Sequence, residues 1–197
     1  MNASDAAEVL TIGHSNHPLA AFVALLQQHA VRRVVDVRSE PYSRHAPHFA
    51  GRALQASLPA QGIAYQFLGH LLGGRPRAPR LYLPARPRDG RRVSPLRLPH
   101  GYVDYEALER TSAFQQGLAL LAAEAPRERL ALLCSEEDPA RCHRHLLIAH
   151  ALAARGIAVA HIRADGRLQL AAALFAAERS APARQGSLFD ALEEAQP

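Results

Sequence analysis

The sequence predicts one α/β domain of the Rossmann-like kind: a mostly parallel sheet with helices on both faces, which makes a three-layer sandwich. Short apolar runs of strand length alternate with segments whose apolar residues recur at helical spacing. Strand, helix and strand follow one another within residues 9–37, and such a unit joins parallel strands. We therefore expect a domain over residues 9–179, an N-terminal extension over 1–8 and a flexible polar tail over 180–197.

Five apolar runs predict the strands. The first run ends at the polar turn Gly13-His14-Ser15, and Ser15 or Asn16 is expected to cap the next helix, with Pro18 in its first turn. We expect the second and the fourth runs to be buried strands. In chain order the predicted strands are Val9–Ile12, Val31–Val37, Ile63–Phe67, Leu130–Leu133 and Ile157–Ile162.

Helices are predicted between these strands. After the first helix we expect a short one over Arg52–Leu58, then one or two over Tyr105–Ala125 with a break at Thr111-Ser112. Another helix is expected to begin at Asp138-Pro139. The arginine- and proline-rich stretch 75–99 has no period and predicts a long surface loop, a feature that is usually functional or mobile.

Composition restricts the partners and the cellular compartment that we expect for this protein. The net charge of +5 favours a phosphate-bearing small molecule or nucleic acid as partner, although all 23 basic residues are arginine, which weakens an argument from their number. No apolar run reaches the about 18 residues of a membrane span, and the N-terminus lacks a signal-peptide layout. Two cysteines are too few for a disulfide framework. We expect a cytoplasmic protein without a membrane partner, and the sequence identifies no cofactor.

Polar residues follow three of the predicted strands. They are Gly13-His14-Ser15 after the first, Asp36-Val37-Arg38-Ser39 after the second and Cys134-Ser135-Glu136 after the fourth, with Cys142-His143-Arg144 close behind. In parallel sheets ligands bind at the carboxyl ends of the strands, where loops and helix starts gather. The sequence therefore predicts one polar site at this edge of the sheet.

The candidate catalytic residues are His14, Cys134, Glu136 and Cys142. Cys142 is expected in a first helical turn beside arginines, a setting that lowers a thiol pKa and suits a nucleophile. His14 is a better base for it than His143, because adjacent helical residues point about 100° apart. The alternative to a catalytic role is that both thiols are small core residues, and this alternative applies above all to Cys134. A metal held by His14, Cys134, Cys142 and His143 is a minority alternative, and no metal ligand is assigned, because the Cys-x7-Cys spacing matches no tight zinc pattern.

The candidate substrate-binding residues surround this group. Arg38 is expected to bind an anion, and Asp36 to cap the loop that follows it. That loop is polar and aromatic, so it is suited to hold a base or a sugar phosphate, with an ordinary solvated loop as the alternative. The predicted binding residues are Ser15, Arg38, Ser43, Arg44, Phe49, His143 and Arg144.

With these residues in hand, the chain resembles the bacterial and archaeal family catalogued as domain of unknown function 488. The resemblance covers about Val9 to Gly166 and implies an α/β domain with a shared polar site, but no settled activity. The residues that carry it are Thr11-Ile12-Gly13-His14-Ser15, Asp36-Val37-Arg38-Ser39, Pro41, Ser43, Phe49, Gly62-Ile63, Tyr65, Leu72-Gly73-Gly74, Leu133-Cys134, Glu136, Cys142-His143-Arg144 and His161-Ile162.

Two further resemblances are narrower. Asp36-Val37-Arg38 is similar to a run in rhodanese-like domains, but Cys134 begins no Cys-x5-Arg cradle, because residue 140 is alanine. In the tail, Gln185–Phe189 is similar to the peptide by which bacterial repair and replication proteins dock onto the DNA sliding clamp; a short helix capped by Ser187 and packed on the same domain is the alternative.

These observations favour an enzyme that acts on, or a protein that binds, a nucleotide or nucleic-acid-derived phosphate compound, in DNA repair or replication. A non-catalytic nucleic-acid or nucleotide-binding module is one alternative. A thiol-dependent enzyme that handles sulfur or phosphate is the other.

Overall fold

The computed structural model describes residues 8–43 and 45–180 of the chain. A sheet of six strands lies at its centre, and a ribbon of two short strands lies beside it. In chain order the strands are β1 (Val9–Gly13), β2 (Arg33–Asp36), β3 (Ala64–Phe67), β4 (Tyr82–Leu83), β5 (Tyr102–Val103), β6 (Leu130–Cys134), β7 (Val159–Ile162) and β8 (Leu168–Leu170).

The order across the large sheet is β3-β2-β6-β1-β7-β8. The first five of these strands pair in parallel and β8 pairs antiparallel with β7, so the predicted mostly parallel sheet is confirmed. Strand β6 lies between β2 and β1, which brings the ends of the three strands with polar termini next to one another.

Helices cover both faces of the sheet. The described helices are α1 (Leu19–Gln28), α2 (Gly51–Ser57), α3 (Gly69–Leu72), α4 (Tyr105–Glu109), α5 (Ser112–Glu124), α6 (His150–Ala153) and α7 (Ala171–Ser180). Single 3₁₀ turns stand at Pro47–Phe49, Pro59–Gln61, Pro79–Leu81 and Pro139–Arg141, and a π-helical turn, Arg144–Ala149, leads into α6.

The alternation of side chains along the strands produces two hydrophobic cores. On one face Leu10 and Ile12 of β1 pack with α1 and α2, and on the other Val9 packs with α4, α5 and the helical segment after Cys142. This is the predicted three-layer arrangement. None of the helices in the described ranges is long and apolar enough to cross a membrane.

Local predictions met different outcomes. The break at Thr111-Ser112 is confirmed, because the Thr111 hydroxyl caps α5. No side chain caps α1, where Pro18 itself occupies the cap position. The helix expected from Asp138-Pro139 is only a 3₁₀ turn, and the chain becomes extended at Cys142 before a helical segment begins at Arg144.

Some elements were missed and one was read too simply. β8 and α7 follow Ile162 and were not predicted; for β8, the run 168–170 is too short to show periodicity. The stretch 75–99 is not one featureless loop: its strand β4 pairs with β5, and an isolated bridge joins Val93 to Asp104. This arginine–proline segment folds back toward the carboxyl ends of β2 and β6.

Candidate functional site

A cavity of about 430 Å³ lies at the carboxyl ends of β2 and β6. Cys134, Cys142 and His143, which we call the cysteine group, form a buried part of its lining. Arg38 and Ser39 line it from the loop after β2. The arginine–proline segment closes it from the other side, with Ser94, Leu96 and its neighbours.

The three side chains of the cysteine group converge on one another. The Nδ1 atom of His143 lies 3.6 Å from the Sγ of Cys134 and 3.8 Å from the Sγ of Cys142. The Nε2 atom of the same ring lies 3.0 Å from the Val37 carbonyl oxygen and donates a hydrogen bond to it. Because Nε2 carries the proton, Nδ1 presents its lone pair to the two sulfurs.

The argument that Cys142 and His143 point too far apart for direct contact was wrong. It assumed that both lie on one helix, where neighbours differ by about 100°. Cys142 has extended backbone angles, φ −127° and ψ 142°, and precedes the helical segment. Its side chain therefore turns to the same side as the His143 ring.

The two thiols are electrostatically unequal. The hydrogen bond from Cys142 holds the pKa of Cys134 well below its usual value, and the nearby charge of Arg144 acts in the same direction. Burial raises the pKa of Cys142, and the charge on Cys134 raises it further. When the pair loses one proton, the negative charge therefore lies on Cys134.

Arg38 is held by a network behind the cavity. Its guanidinium binds the buried carboxylate of Asp36 through Nε at 2.9 Å and one terminal nitrogen at 2.6 Å, and donates to the Phe49 carbonyl oxygen at 2.8 Å. Tyr65 donates to the same carboxylate. Asp36 also accepts the backbone N–H of Arg38, which is the loop-capping geometry. The carboxylate thus neutralises the charge that was expected to bind an anion.

His14 lies on the far side of Arg38 and is not among the described residues that line the cavity. Its Nδ1 donates to the Ser15 carbonyl oxygen at 2.8 Å, so its Nε2 accepts from Arg38 at 3.2 Å. The ring stacks on Phe49 at 4.4 Å between centroids. Burial, with Arg38 nearby, lowers the pKa of His14 and keeps the ring neutral.

Arg144 is fully buried and lies outside the cavity lining. Its two terminal nitrogens donate to the backbone carbonyls of Glu136 and Glu137, which fixes the loop after β6. Gly13 is required at this junction, since a Cβ atom there would come within 1.9 Å of the Glu136 carbonyl oxygen. The Glu136 side chain is exposed and lines the cavity.

The remaining predicted binding residues have local partners. Ser43 accepts the backbone N–H of Ala46 through its hydroxyl oxygen, Phe49 is buried in a core, and Ser15 forms a backbone hydrogen bond to Ser135. None of these three lines the cavity within the described ranges. Arg44 lies outside the described residues.

Several lining residues were absent from the predicted site. Arg75, Arg77 and Arg141 surround the cavity, Tyr42 stands at its rim, and Tyr105 reaches it from the start of α4. Burial raises the pKa of Tyr105, and the neighbouring cysteines raise it further. The dense arginines of residues 75–97 were a usable signal for the first two, whereas nothing local distinguishes Tyr105.

A second polar group lies behind the π-helical turn. Thr11 contacts His161 at 2.8 Å, His161 contacts His145 at 3.0 Å, and His145 contacts the Glu178 carboxylate at 3.0 Å. His150 reaches the other oxygen of Glu178 at 3.0 Å. We call this set the histidine chain. Side-chain atoms of the kinds that bind metals lie within 4.8 Å of one another in two places within the described ranges. One is the cysteine group, and the other is formed by His145, His150 and Glu178 of the histidine chain.

Fold and site define the class of protein: an α/β domain whose polar cavity lies at the carboxyl ends of parallel strands. The sequence model of the family described as domain of unknown function DUF488 matches residues 18–151, more than half of the chain. The chain belongs to this family, as its motifs predicted. The matched stretch contains Arg38 and the cysteine group, whereas His14 and His161 lie beyond it. Among curated proteins and solved structures, none matches the chain.

Proposed function

We propose that this protein is an enzyme that acts on a nucleotide or another nucleic-acid-derived phosphate compound bound in the cavity. One observation carries the proposal: three exposed arginines, Arg75, Arg77 and Arg141, surround a cavity that contains the buried cysteine group. Cationic walls favour an anionic ligand, and a reactive, poorly solvated group within reach of that ligand is the usual layout of an enzyme site.

The charges of these arginines are available to a ligand. Within the described ranges none of the three forms an ion pair, whereas Arg38, Arg92 and Arg163 are each paired with a carboxylate. An exposed guanidinium without a carboxylate partner can bind a phosphate in a bidentate manner. Glu40 and Glu136 also line the cavity. Their carboxylates would repel an anionic ligand unless its negative charge points toward the arginines.

Apolar surface at the rim extends the argument from phosphate to nucleotide. Tyr42 is 69% exposed and Leu96 60% exposed, more than any other large hydrophobic residue in the described ranges, and both line the cavity. An exposed aromatic ring beside cationic side chains offers a stacking surface for a base. A nucleotide has both features that this rim would bind.

The alternatives have less support. A module that only binds would gain nothing from a buried group of two thiols and an imidazole beside its ligand. For a phosphate- or sulfur-handling thiol enzyme, the guanidinium of Arg144 faces backbone carbonyls instead of cradling a ligand above Cys134. Arg38 is likewise engaged by Asp36.

The first test is calorimetric titration of the full chain with deoxynucleoside monophosphates and with the matched nucleosides. We expect the nucleotides to bind at least about 10-fold more tightly, because the arginines contact the phosphate. The double variant Arg75→Ala/Arg77→Ala should lose at least about 10-fold in affinity. Arg88→Ala is the matched control, an exposed arginine of the same segment that does not line the cavity.

Equal binding of nucleotide and nucleoside, or an equal loss in the control variant, would contradict the proposal. Incubation followed by chromatography of the ligand then separates an enzyme from a binding module. An unchanged ligand that nevertheless binds through Arg75 and Arg77 would favour the module.

A role in DNA repair or replication, in the cytoplasm, is an extension of this proposal. Its motivation is the peptide Gln185–Phe189, which lies outside the described residues. A pull-down with purified sliding clamp should retain the intact chain and release a chain that ends at Arg184. Equal retention of both would remove the clamp from the proposal.

A further inference from the structure

We propose that the cysteine group binds one zinc ion, with a coordination position open to the cavity. Tetrahedral zinc has Zn–S bonds of about 2.3 Å and Zn–N bonds of about 2.0–2.1 Å, which place sulfur and nitrogen about 3.5–3.6 Å apart. The observed distances from His143 Nδ1 are 3.6 Å to Cys134 and 3.8 Å to Cys142. All three ligand atoms lie within 4.8 Å of one another.

The imidazole is oriented as a metal ligand. Its Nε2–H donates to the Val37 carbonyl oxygen at 3.0 Å, which leaves Nδ1 unprotonated and directed at the sulfurs. Such a hydrogen bond from the second ring nitrogen is the usual way in which a protein fixes the tautomer and the angle of a metal-bound histidine. Gly74 packs closely on the imidazole ring: a Cβ atom added at Gly74 would lie 2.6 Å from the Cγ atom of His143. The ring therefore has little freedom to turn.

A metal also suits the charge and the geometry of the group. Cys142 hydrogen-bonds to Cys134, and both sulfurs face the Nδ1 lone pair of His143, so the three ligand atoms are directed at one another. Zinc bound to two thiolates and a neutral imidazole satisfies all three side chains and cancels the charge of the buried sulfurs. The cysteines are supplied by different elements, the end of β6 and the extended residue before the π-helical turn. A seven-residue spacer of this kind matches none of the tight sequence patterns of zinc sites.

The fourth position would face the ligand. All three residues line the cavity, so the side of the metal without a protein ligand would face the cavity, which Arg141 and Tyr105 also line. Three protein ligands and one open position are typical of catalytic zinc, whereas structural zinc has four protein ligands. The open position would hold water or an oxygen of the ligand. Only this last consequence rests on the proposed function; the metal site itself does not.

The direct test is titration of the metal-free full chain with Co²⁺ as a spectroscopic probe, followed by displacement with Zn²⁺. We expect one equivalent, with a thiolate-to-cobalt charge-transfer band. Cys134→Ser, Cys142→Ser and His143→Ala should each lower the affinity by at least about 100-fold, because each removes a ligand. His143→Cys should restore it. His150→Ala, which alters the other group of ligand-type side chains, is the control and should bind as the unchanged chain does.

A second measurement needs no variant. The chain has two cysteines, so alkylation by iodoacetamide, read by mass spectrometry, reports on this group alone. Zinc should protect both thiols, at one ion per chain. Absence of the charge-transfer band, equal alkylation with and without zinc, or loss of metal in His150→Ala would overturn the site.

Failure of the metal site and failure of the proposed function give different results. Nucleotide titration of the metal-free and of the zinc-loaded chain reports on the arginine walls in both states. Nucleotide binding without metal binding would sink the zinc site alone. Metal binding without nucleotide binding would sink the proposed ligand alone.

Discussion

The cysteine group and the histidine chain come within two residues of each other in sequence, at His143 and His145, yet their side chains are paired in different ways. In the histidine chain every ring nitrogen of His145 and His161 has one partner, and each donor faces an acceptor, from Thr11 through to Glu178. In the cysteine group two sulfurs share one nitrogen. The first arrangement gives each ring nitrogen its own partner, whereas the second brings three ligand atoms to one point, where we propose a zinc ion.

The π-helical turn separates the two groups. Five residues of an α-helix advance by about 500°, which would place His145 and His150 about 140° apart. In the π-helical turn Arg144–Ala149 the chain makes wider turns, closed by hydrogen bonds five residues apart, so both rings meet the same carboxylate of Glu178. Buried Arg144 stands at the start of this turn and contributes to the electrostatics of both groups.

The largest expected effect comes from Arg144, because this fully buried arginine fixes the loop after β6. Arg144→Met removes the donors to the carbonyls of Glu136 and Glu137 and should lower the free energy of unfolding by about 3 kcal/mol. Urea denaturation measures this. The exposed control Arg141→Met should change it by less than about 0.5 kcal/mol. Equal stability of the two variants would mean that Arg144 does not hold the junction.

The second effect separates the groups. His145→Leu leaves the Nε2 atom of His161 without an acceptor in a buried site and removes one of the two imidazoles that contact Glu178, so it should cost about 2–3 kcal/mol. In metal-free protein His143→Leu should cost about 1 kcal/mol, because it leaves the Val37 carbonyl unpaired and removes only a weak acceptor from the thiols. Saturating zinc should stabilise the unchanged chain and the His145→Leu variant alike, but not His143→Leu. If zinc changed the stability of His145→Leu and of His143→Leu equally, the cysteine group would not differ from the histidine chain in metal binding.

The third effect is a dependence of stability on pH that arises in the histidine chain. Burial, aided by the neighbouring His145 and Arg144, lowers the pKa of His161 to about 2, and burial also lowers the pKa of His145 and His150. The folded state then binds fewer protons than the unfolded state below the ordinary histidine pKa of 6.5, so stability falls as the pH drops.

A histidine that stays neutral when folded contributes a loss of about 1.4 kcal/mol per pH unit below that value. Urea denaturation between pH 7 and pH 5 should show the slope, and His161→Gln should reduce it by about one proton. An unchanged slope in His161→Gln would mean that the ring is charged in the folded protein.

The smallest effect is expected at the exposed end of the histidine chain, at His150. His150 is about a quarter exposed and Glu178 about a third, and water can replace a hydrogen bond there. His150→Ala should therefore cost less than about 1 kcal/mol. A cost equal to that of His145→Leu would show that the carboxylate needs both imidazoles, and that the two ends of the histidine chain are not different.

The residues predicted for the site divide into two sets by their position relative to the cavity. Polar residues after three apolar runs indicated one edge of the sheet, and the structure does bring Arg38, Glu136, Cys134, Cys142 and His143 to one cavity there. It also places His14, Ser15, Ser43, Phe49 and Arg144 outside the lining, with partners of their own. Residue type and spacing could not separate the two sets, because both lie within a few residues of the same strand ends.

By itself the sequence determined the parallel sheet, its two covered faces and the edge at which polar side chains collect, because hydrophobic periodicity and strand-end polarity are local properties of the chain. Only the tertiary structure decided that β6 lies between β2 and β1, that Cys142 is extended so that its sulfur meets His143, and that Asp36 neutralises Arg38. The strand order depends on contacts between residues far apart in sequence, and the other two outcomes depend on backbone angles and side-chain directions. Hydrophobic periodicity carries no signal for either.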